Sequence, residues 1–204
     1  MIKSIYDNHD DILRAIIKLH NNNNPIHCDP TYSKGVFYRN IEKPVFRYDI
    51  NPIKGVKKAS ADNLPHDDNS LHSIVFDPPF LATKGPSLKS QKGNIINKRF
   101  SVFPSEVELH IFYRASLIEF YRVLTNKGLL VFKCQDKVSS GKQYFSHCFV
   151  YNEAVKVGFY PLDLFILQAK NRIVAHWQKN QKHARKFHSY YWVFRKTKKE
   201  VRYL

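Results

Sequence analysis

The residues of this chain with the clearest chemical potential are four consecutive ones, Asp77-Pro78-Pro79-Phe80. They follow the apolar run 73–76, which predicts a buried strand. The two prolines fix φ at about −65° and remove two backbone donors, so the strand ends here and Asp77 is held extended. In an open α/β sheet, the Asp77 carboxylate and the Pro78 carbonyl would face one crevice as two hydrogen-bond acceptors, and Phe80 would offer a flat stacking surface.

Two acceptors in such a crevice suit the chemistry of an exocyclic amine. The amino group of adenine or cytosine is a poor nucleophile because its lone pair is delocalised into the ring. Acceptors that bind the amino hydrogens help to localise that lone pair on nitrogen. The tetrapeptide therefore indicates methylation of an amino group, and the alternative is an ordinary Asp-Pro turn after a buried strand.

This tetrapeptide resembles the catalytic motif of the S-adenosylmethionine-dependent amino-methyltransferases, which act on adenine N6 or cytosine N4 in DNA and on some RNA amino groups. Upstream, the stretch 61–70 is similar to the "D-x-x-x-L-P-x-x-D-x-S" stretch that leads into the same strand in many class I methyltransferases. The resemblance implies that Asp62 lies near the adenine of the cofactor, and it assigns Asn63 to the same cofactor site.

An earlier segment follows the pattern of a strand, an acid and a turn of small residues. In the family pattern D-x-F-x-G-x-G, Asp29 takes the acid position, and Ser33 and Gly35 take the two glycine positions. The resemblance implies that this turn, with Pro30 and Thr31, binds the methionine part of the cofactor. Ser33 adopts positive φ less freely than glycine, so the path of the loop stays open, and a surface turn is the alternative.

Another acid, Asp49, follows a short apolar run about 20 residues after Asp29, the spacing at which dinucleotide-binding sheets place an acid on the ribose hydroxyls. The resemblance implies the same role for Asp49, and the alternative is a cap or turn residue. Asp29, Asp49, Asp62 and Asp77 follow one another in the order that the family pattern requires. This shared order strengthens each assignment.

The chain has 204 residues, of which 43% are hydrophobic, and no clear linker divides it, so we predict one domain over 1–204. Within that domain, 25–80 form the cofactor-binding half and 81–105 a basic substrate loop. Residues 106–204 supply a helix, a strand and a closing strand pair, joined by the basic connection 171–188.

Alternating helix and strand patterns predict the α/β class with a largely parallel sheet. The resemblance implies the class I methyltransferase, Rossmann-like fold, with a mostly parallel seven-stranded sheet and a terminal antiparallel hairpin. Helices are predicted at 10–20, at 106–124 with Asn126-Lys127-Gly128 closing the latter, and at 151–157, and strands near 26–28, 45–48, 56–60, 73–76, 129–132, 162–167 and 190–194.

No uninterrupted apolar run approaches the roughly 18 residues that span a bilayer, and the first residues lack a signal-peptide pattern, so we expect an intracellular, cytoplasmic protein without membrane partners. The widely spaced Cys28, Cys134 and Cys148 lie in apolar stretches, which predicts reduced core thiols. No metal site is predicted, because the histidines at 176, 183 and 188 lie among dense positive charge without a carboxylate.

Lysine and arginine number 33 against 17 acids, a net charge of +16 that indicates a polyanionic partner. The acid-free segment 81–105 begins directly after Phe80, and we interpret it as an arm that closes over a nucleic acid strand. The connection 171–188 is a second basic surface; solvated charged loops are the alternative for both. The predicted phosphate contacts are Lys84, Lys89, Lys92, Lys98, Arg99, Lys179, Lys182, Arg185 and Lys186.

Together these features predict an S-adenosylmethionine-dependent methyltransferase that acts on a base amino group turned out of its stack. An acid at the first motif position favours adenine N6 in DNA over cytosine N4, whose enzymes more often begin with Ser. An RNA amino-methyltransferase and a nucleic-acid-binding module without catalysis are the open alternatives. We find no room for a separate target-recognition region, so recognition rests on the two basic segments, on a partner protein or on the shape of an RNA.

Overall fold

The computed structural model describes residues 1–80, 82, 103–139, 141–170 and 182–201. The described helices are α1 (His9–His20), α2 (Glu106–Val123) and α3 (Ser146–Val157), with a short 3₁₀ helix at Val36–Tyr38. The described strands are β1 (Ile5–Tyr6), β2 (Cys28–Asp29), β3 (Phe46–Asp49), β4 (Lys57–Lys58), β5 (Leu71–Phe76), β6 (Leu124–Cys134), β7 (Lys137–Ser139), β8 (Lys142–Tyr144), β9 (Phe159–Gln168) and β10 (His188–Lys196).

Eight of these strands form one sheet in the order β1-β9-β10-β6-β5-β2-β3-β4. The strands from β6 to β4 pair in parallel, whereas β10 runs antiparallel to both β6 and β9. This arrangement confirms the predicted α/β fold class, with its mainly parallel sheet and closing antiparallel pair. Since β2, β3 and β5 are parallel, their carboxyl ends lie along one edge, where a ligand crevice forms in such sheets.

Three features differ from the sequence prediction. The edge strand β1 pairs with β9 and brings the sheet to eight strands rather than seven, and β7 and β8 form a small antiparallel hairpin beside it. The residues 126–128 do not close α2 in a turn, because β6 already begins at Leu124. The pairing of β5 with β6 shifts register between Leu71 and Ser73, and the residues 126–128 lie in this irregular part of β6.

The helix α3 begins at Ser146, five residues before the predicted start at 151. Its N-cap residue, Phe145, makes no side-chain hydrogen bond to the helix. The Asp136 carboxylate instead accepts a hydrogen bond from the backbone N–H of His147 at 3.1 Å. The cap therefore comes from the link between β6 and β7, ten residues before the helix, and local helix signals do not contain it.

The helix α1 agrees with its prediction because its local signals are complete. The side chain of Asn8 accepts a hydrogen bond from the Asp11 N–H at 2.9 Å and caps the first turn. Its apolar residues recur at helical spacing and are fully or almost fully buried against the sheet: Ile12, Leu13, Ala15 and Ile16.

The core has two layers, one on each face of the sheet, and β6 contributes alternately to both. Leu129 and Val131 pack in the cluster that contains α1, whereas Leu130, Phe132 and Cys134 pack in the cluster that contains α2 and α3. Because side chains alternate along a strand, Lys133 lies on the α1 face. This placement brings a lysine to the end of the sheet where the ligand crevice is expected.

Two of the three cysteines are core residues, as predicted. Cys28 and Cys134 are fully buried, but Cys148 is exposed on α3, and the prediction of a core thiol is wrong there. The apolar stretch around Cys148 is helical rather than extended, so only part of it faces the core. No helix in the described part of the chain combines the length and apolar character needed to cross a bilayer.

Candidate active site

One cavity of about 630 Å³ opens at the carboxyl ends of β2, β3 and β5. The residues that the sequence assigns to the site and that line the cavity are Asp29, Pro30, Thr31, Ser33, Asp49, Asp77 and Pro79. The structure thus brings together three of the four acids, which are separated by up to 48 positions in the chain. Further lining comes from the rings of Phe37, Tyr38, Phe103 and Phe112.

Asp77 is placed by contacts from two neighbouring strands. Its backbone N–H donates to the Thr31 hydroxyl at 2.9 Å, which joins the turn after β5 to the turn after β2. Its carboxylate Oδ1 lies 3.0 Å from the Nζ of Lys133, and the side chain remains 27% exposed towards the cavity. Burial raises the pKa of Asp77, and the nearby Lys133 ammonium opposes that rise. The carboxylate therefore faces a cavity while a cation supports its charge.

The rest of the tetrapeptide is held by helix α2 and the β7 strand. The Tyr113 hydroxyl donates to the Pro79 carbonyl at 3.2 Å, and the Lys137 ammonium donates to the Phe80 carbonyl. Pro78 is buried and does not line the cavity, whereas Pro79 does. Pro79 is thus the proline on the cavity wall, and the acceptor role of the Pro78 carbonyl stays a prediction.

Asp29 is 2% exposed and lies at the end of β2. It accepts hydrogen bonds from the Thr31 N–H at 2.8 Å, from the Thr31 hydroxyl at 3.1 Å and from the Tyr38 hydroxyl at 2.8 Å. Burial raises its pKa to about 7, and the charge of Asp77 adds to the rise, although the hydrogen bonds counteract it. The hydrogen bonds of the turn therefore fix the position of the Asp29 carboxyl group, and its raised pKa lies near neutral pH.

The turn between β2 and the 3₁₀ helix takes left-handed backbone at both positions where the family pattern has glycine. Ser33 has φ 48° and Gly35 has φ 64°. The Ser33 N–H donates to Asp49 Oδ2 at 3.0 Å, and the Asn51 N–H donates to Asp49 Oδ1 at 2.8 Å. Hydrogen bonding to Asp49 thus offsets the cost of positive φ at a serine, and this answers the open question about the loop path.

Gly35 does not line the cavity, but the turn depends on it. A Cβ placed there would lie 2.3 Å from the Tyr32 hydroxyl oxygen. The ring of Tyr32 stacks on that of Tyr38 at a centroid distance of 5.5 Å and is buried, so it cannot easily move away. Only glycine fits this close approach at positive φ.

Asp62 and Asn63 are exposed and lie outside the cavity lining, where Ser60 and Ala61 stand instead. The Ser60 hydroxyl donates to the Asp62 carboxylate, and the Asn63 N–H donates to the Ser60 carbonyl at 3.1 Å. Both residues therefore lie in a local turn next to the two that line the cavity. Their assignment to the cofactor site stays a prediction.

Sequence reasoning missed Lys133 and His9, which both line the cavity. The Lys133 ammonium lies over the rings of Phe37, Phe80 and Tyr191 at 4.8, 5.2 and 5.7 Å from their centroids. The only available signal was a lysine directly after the apolar run 129–132, where an unpaired buried charge is costly.

His9 reaches the cavity from the first turn of α1. Its Nδ1 is hydrogen-bonded to the Tyr191 hydroxyl, and its ring lies 4.7 Å from that of Phe37. Burial and the charge of Lys133 lower its pKa to about 4. The imidazole is therefore neutral at physiological pH, and no sequence motif marked it.

Most of the predicted phosphate contacts, namely Lys84, Lys89, Lys92, Lys98, Arg99 and Lys179, lie outside the described residues. Lys182 is exposed, and Arg185 and Lys186 are half-buried, in the segment that leads into β10. Phe187, beside them, is 39% exposed. This described part of the basic connection presents positive charge and one aromatic ring on the surface.

No protein-family model and no curated protein matches the chain. Among solved structures, a protein assigned as a sarcosine dimethylglycine methyltransferase from Galdieria sulphuraria is 13% identical, with a TM-score of 0.56 over 93% of this chain and 85% of that one. The [4+2]-cyclase SpnF is 11% identical, with a TM-score of 0.55 over 92% and 81%. These similarities show the class I methyltransferase fold, and the cyclase shows that the fold alone does not determine the reaction.

A protein assigned as a DNA modification methylase from Thermus thermophilus, in complex with S-adenosyl-L-methionine, is also similar to this chain. It is 19% identical, with a TM-score of 0.45 over 69% of this chain and 53% of that one. The chain thus spans about half the length of that methylase.

Proposed function

We propose that this chain is an S-adenosylmethionine-dependent methyltransferase that acts on an exocyclic amino group of a nucleic-acid base, with adenine N6 of DNA as its substrate. The observation that carries the proposal is the position of Asp77. Its partly exposed carboxylate lies on the wall of the same cavity as Asp29 and Asp49. An acceptor for an amino group and the acids assigned to the cofactor therefore share one space.

The residues present fit this cofactor. A cavity of about 630 Å³ is in the range that small-molecule and cofactor sites occupy. Asp49 would meet the ribose, and the turn formed by Pro30, Thr31 and Ser33, with Asp29 beneath it, would hold the methionine part. When bound, S-adenosylmethionine supplies an electrophilic methyl group.

The chain's own contribution to the reaction is to orient the amine. Asp77 would accept a hydrogen bond from the amino group, which helps to localise the lone pair on the amino nitrogen. Phe80 would stack on the base, and positioning of this kind supplies much of the rate in transfer reactions. In a duplex the amino group is paired, so the base must first be turned out of the helix.

The net charge of +16 supports a nucleic-acid substrate. The exposed Lys182 and the neighbouring Phe187 offer a phosphate contact and a stacking surface in the described part of the basic connection. An acid at the first motif position is the reason for choosing adenine N6. A partner protein could supply further sequence recognition.

Incubation of the protein with labelled S-adenosylmethionine and either total DNA or total RNA tests this proposal. After digestion, mass spectrometry should identify N6-methyldeoxyadenosine from DNA. N4-methyldeoxycytidine would show that the substrate base is cytosine rather than adenine. A methylated ribonucleoside would show that the substrate is RNA rather than DNA.

Calorimetry with S-adenosylmethionine provides the second measurement. Binding without transfer to either nucleic acid would refute the activity on bases. The absence of cofactor binding would refute the methyltransferase assignment and favour a nucleic-acid-binding module on this fold.

A further inference from the structure

The side chain of Lys133 is 8% exposed and follows the apolar run 129–132 at the end of β6. Burial of an ammonium group is costly unless the charge is compensated. Its compensation consists of one carboxylate, that of Asp77 at 3.0 Å, and the faces of three aromatic rings. Lys133 is therefore a buried residue of the cavity wall rather than a surface lysine.

The sheet itself determines which residue Lys133 meets. In the pairing of β5 with β6, Val75 is opposite Val131 and Phe76 is opposite Phe132, so Asp77 and Lys133 are the next pair along the two strands. Val75 and Val131 both pack on the α1 face, and side chains two residues further on lie on that same face. The ion pair thus follows from strand register and is held by two central strands.

We propose that Lys133 is a positioning residue for methyl transfer, which keeps the Asp77 side chain in its carboxylate form and aimed into the cavity. This inference rests on the proposed function, since it assigns Lys133 a role in the same site. Without the ammonium group, burial would favour the neutral acid, because it penalises the charged form of a carboxyl group. A protonated Asp77 has one acceptor fewer for the substrate amine, so the reaction depends on the pair.

Other titratable groups around Asp77 do not replace this cation. Burial holds the pKa of Tyr113 and Tyr191 well above the ordinary value, and both phenols stay neutral. His9, which faces Lys133, is neutral at physiological pH because its pKa lies at about 4. Asp29 adds negative charge when it ionises and so disfavours the Asp77 carboxylate further. Lys34 and Arg39 also line the cavity, but Lys133 is the described cation whose charge lowers the pKa of Asp77.

The test compares Lys133→Gln, Lys133→Met and Lys133→Arg with the wild-type protein. Single-turnover methyl transfer is measured against pH at saturating S-adenosylmethionine. An opposite charge this close shifts a carboxyl pKa by about 1–3 units, so loss of the ammonium should move the acidic limb up by a similar amount. Transfer at the acidic edge should fall about tenfold or more in the Gln and Met variants and recover towards high pH. Lys133→Arg should restore the position of the limb.

Lys18→Met is the matched control, because it removes an exposed lysine from α1, away from the cavity. Its pH profile should match that of the wild-type protein. An acidic limb at the same pH in wild type and in Lys133→Gln would overturn the inference.

Titration of the ¹³C-labelled aspartate carboxyl groups by NMR gives a readout that does not require activity. The Asp77 resonance is identified by its loss in Asp77→Asn, and it should titrate at higher pH in Lys133→Gln than in wild type. Equal titration would overturn the role of Lys133 even if the wild type methylates DNA. Absence of methyl transfer by the wild type would instead refute the proposed function and leave the titration interpretable.

If Lys133→Met does not fold, the same measurements are made on Lys133→Gln, which keeps a polar side chain at this position. If neither folds, the wild-type NMR titration decides: Asp77, which Lys133 faces, should titrate at lower pH than Asp29, whose carboxyl group is buried without a cation. A higher value for Asp77 would overturn the inference.

Discussion

The hydroxyl of Thr31 accepts a hydrogen bond from the backbone N–H of Asp77, with 2.9 Å between oxygen and nitrogen. The same hydroxyl donates to Asp29 Oδ1 at 3.1 Å. One side chain therefore links the turn assigned to the cofactor with the turn that carries the acceptor for the amine. The two motifs form one hydrogen-bonded unit rather than two independent loops.

Thr31→Val should destabilise the protein by about 1–3 kcal/mol, because it leaves the Asp77 N–H without its acceptor in a partly buried place. Denaturant unfolding measures this loss, and methyl transfer should fall with it. Thr31→Ser keeps the hydroxyl and should lie close to wild type in both measurements. Equal stability of Thr31→Val and wild type would contradict a linking role for the hydroxyl.

Asp77→Asn should reduce methyl transfer while leaving the affinity for S-adenosylmethionine nearly unchanged, since the amide keeps one acceptor oxygen but loses the negative charge and gains an NH₂ donor. Transfer assays and calorimetry measure the two effects separately. Asp77→Ala removes both acceptors and should abolish methyl transfer. It should also lose about 3–5 kcal/mol of stability, because Lys133 is left buried without its partner. Normal turnover in either variant would remove the proposed role of Asp77.

Asp29 should make the protein less stable as the pH rises. Its pKa is raised from 3.8 to about 7 in the folded state, so between these values the folded protein binds more protons than the unfolded chain. The stabilisation is complete below pH 4 and is lost as the pH rises to 7, by at most about 4 kcal/mol.

Denaturant unfolding of wild type and Asp29→Asn across pH 4–8 measures this effect. The stability of the variant relative to wild type should increase over the interval. The comparison also cancels the opposite contribution of His9, whose pKa is lowered to about 4 and whose neutral form is favoured on folding. A difference that does not change with pH would contradict the raised pKa of Asp29.

Gly35→Ala should cost about 1 kcal/mol or more, because the residue has φ 64° and the added Cβ would collide with the Tyr32 ring. Since the turn also lines the cavity, the affinity for S-adenosylmethionine should decrease as well. Gly55→Ala is the matched control: φ is 83° there, but the new Cβ meets no atom within 4 Å. A larger loss of cofactor affinity in the control would contradict the role of the cavity turn.

Lys137→Met should destabilise the protein by about 3–5 kcal/mol, because it removes the cation that pairs with the buried Glu106 at 2.8 Å. The same lysine donates to the Phe80 carbonyl, so methyl transfer should fall even under conditions where the variant is folded. Thermal unfolding and transfer assays measure the two effects. Lys142→Met, an exposed change in the neighbouring strand β8, should alter the stability by less than about 0.5 kcal/mol.

Helix α1, the mainly parallel sheet and the position of three acids at one edge of that sheet were predictable from the sequence. Cap residues, helical spacing and the apolar run before Asp77 are local signals, and parallel strands bring their carboxyl ends together wherever the chain places them. The assignment of Asp29, Asp49 and Asp77 to one crevice therefore required only the order of the motifs. The left-handed turn at Ser33 is not predictable from its own segment, because the hydrogen bond that stabilises it joins Ser33 to Asp49 at the end of β3.

Only the tertiary structure decided the charge of the site. Lys133 is an ordinary lysine in the sequence, and its contact with Asp77 depends on the register of β5 against β6. The neutral state of His9 likewise depends on packing between distant segments, since its low pKa comes from burial and from the charge of Lys133. Motifs identify which groups can react because residue type is local, whereas burial and neighbouring charge, which set the protonation of those groups, exist only after the strands have paired.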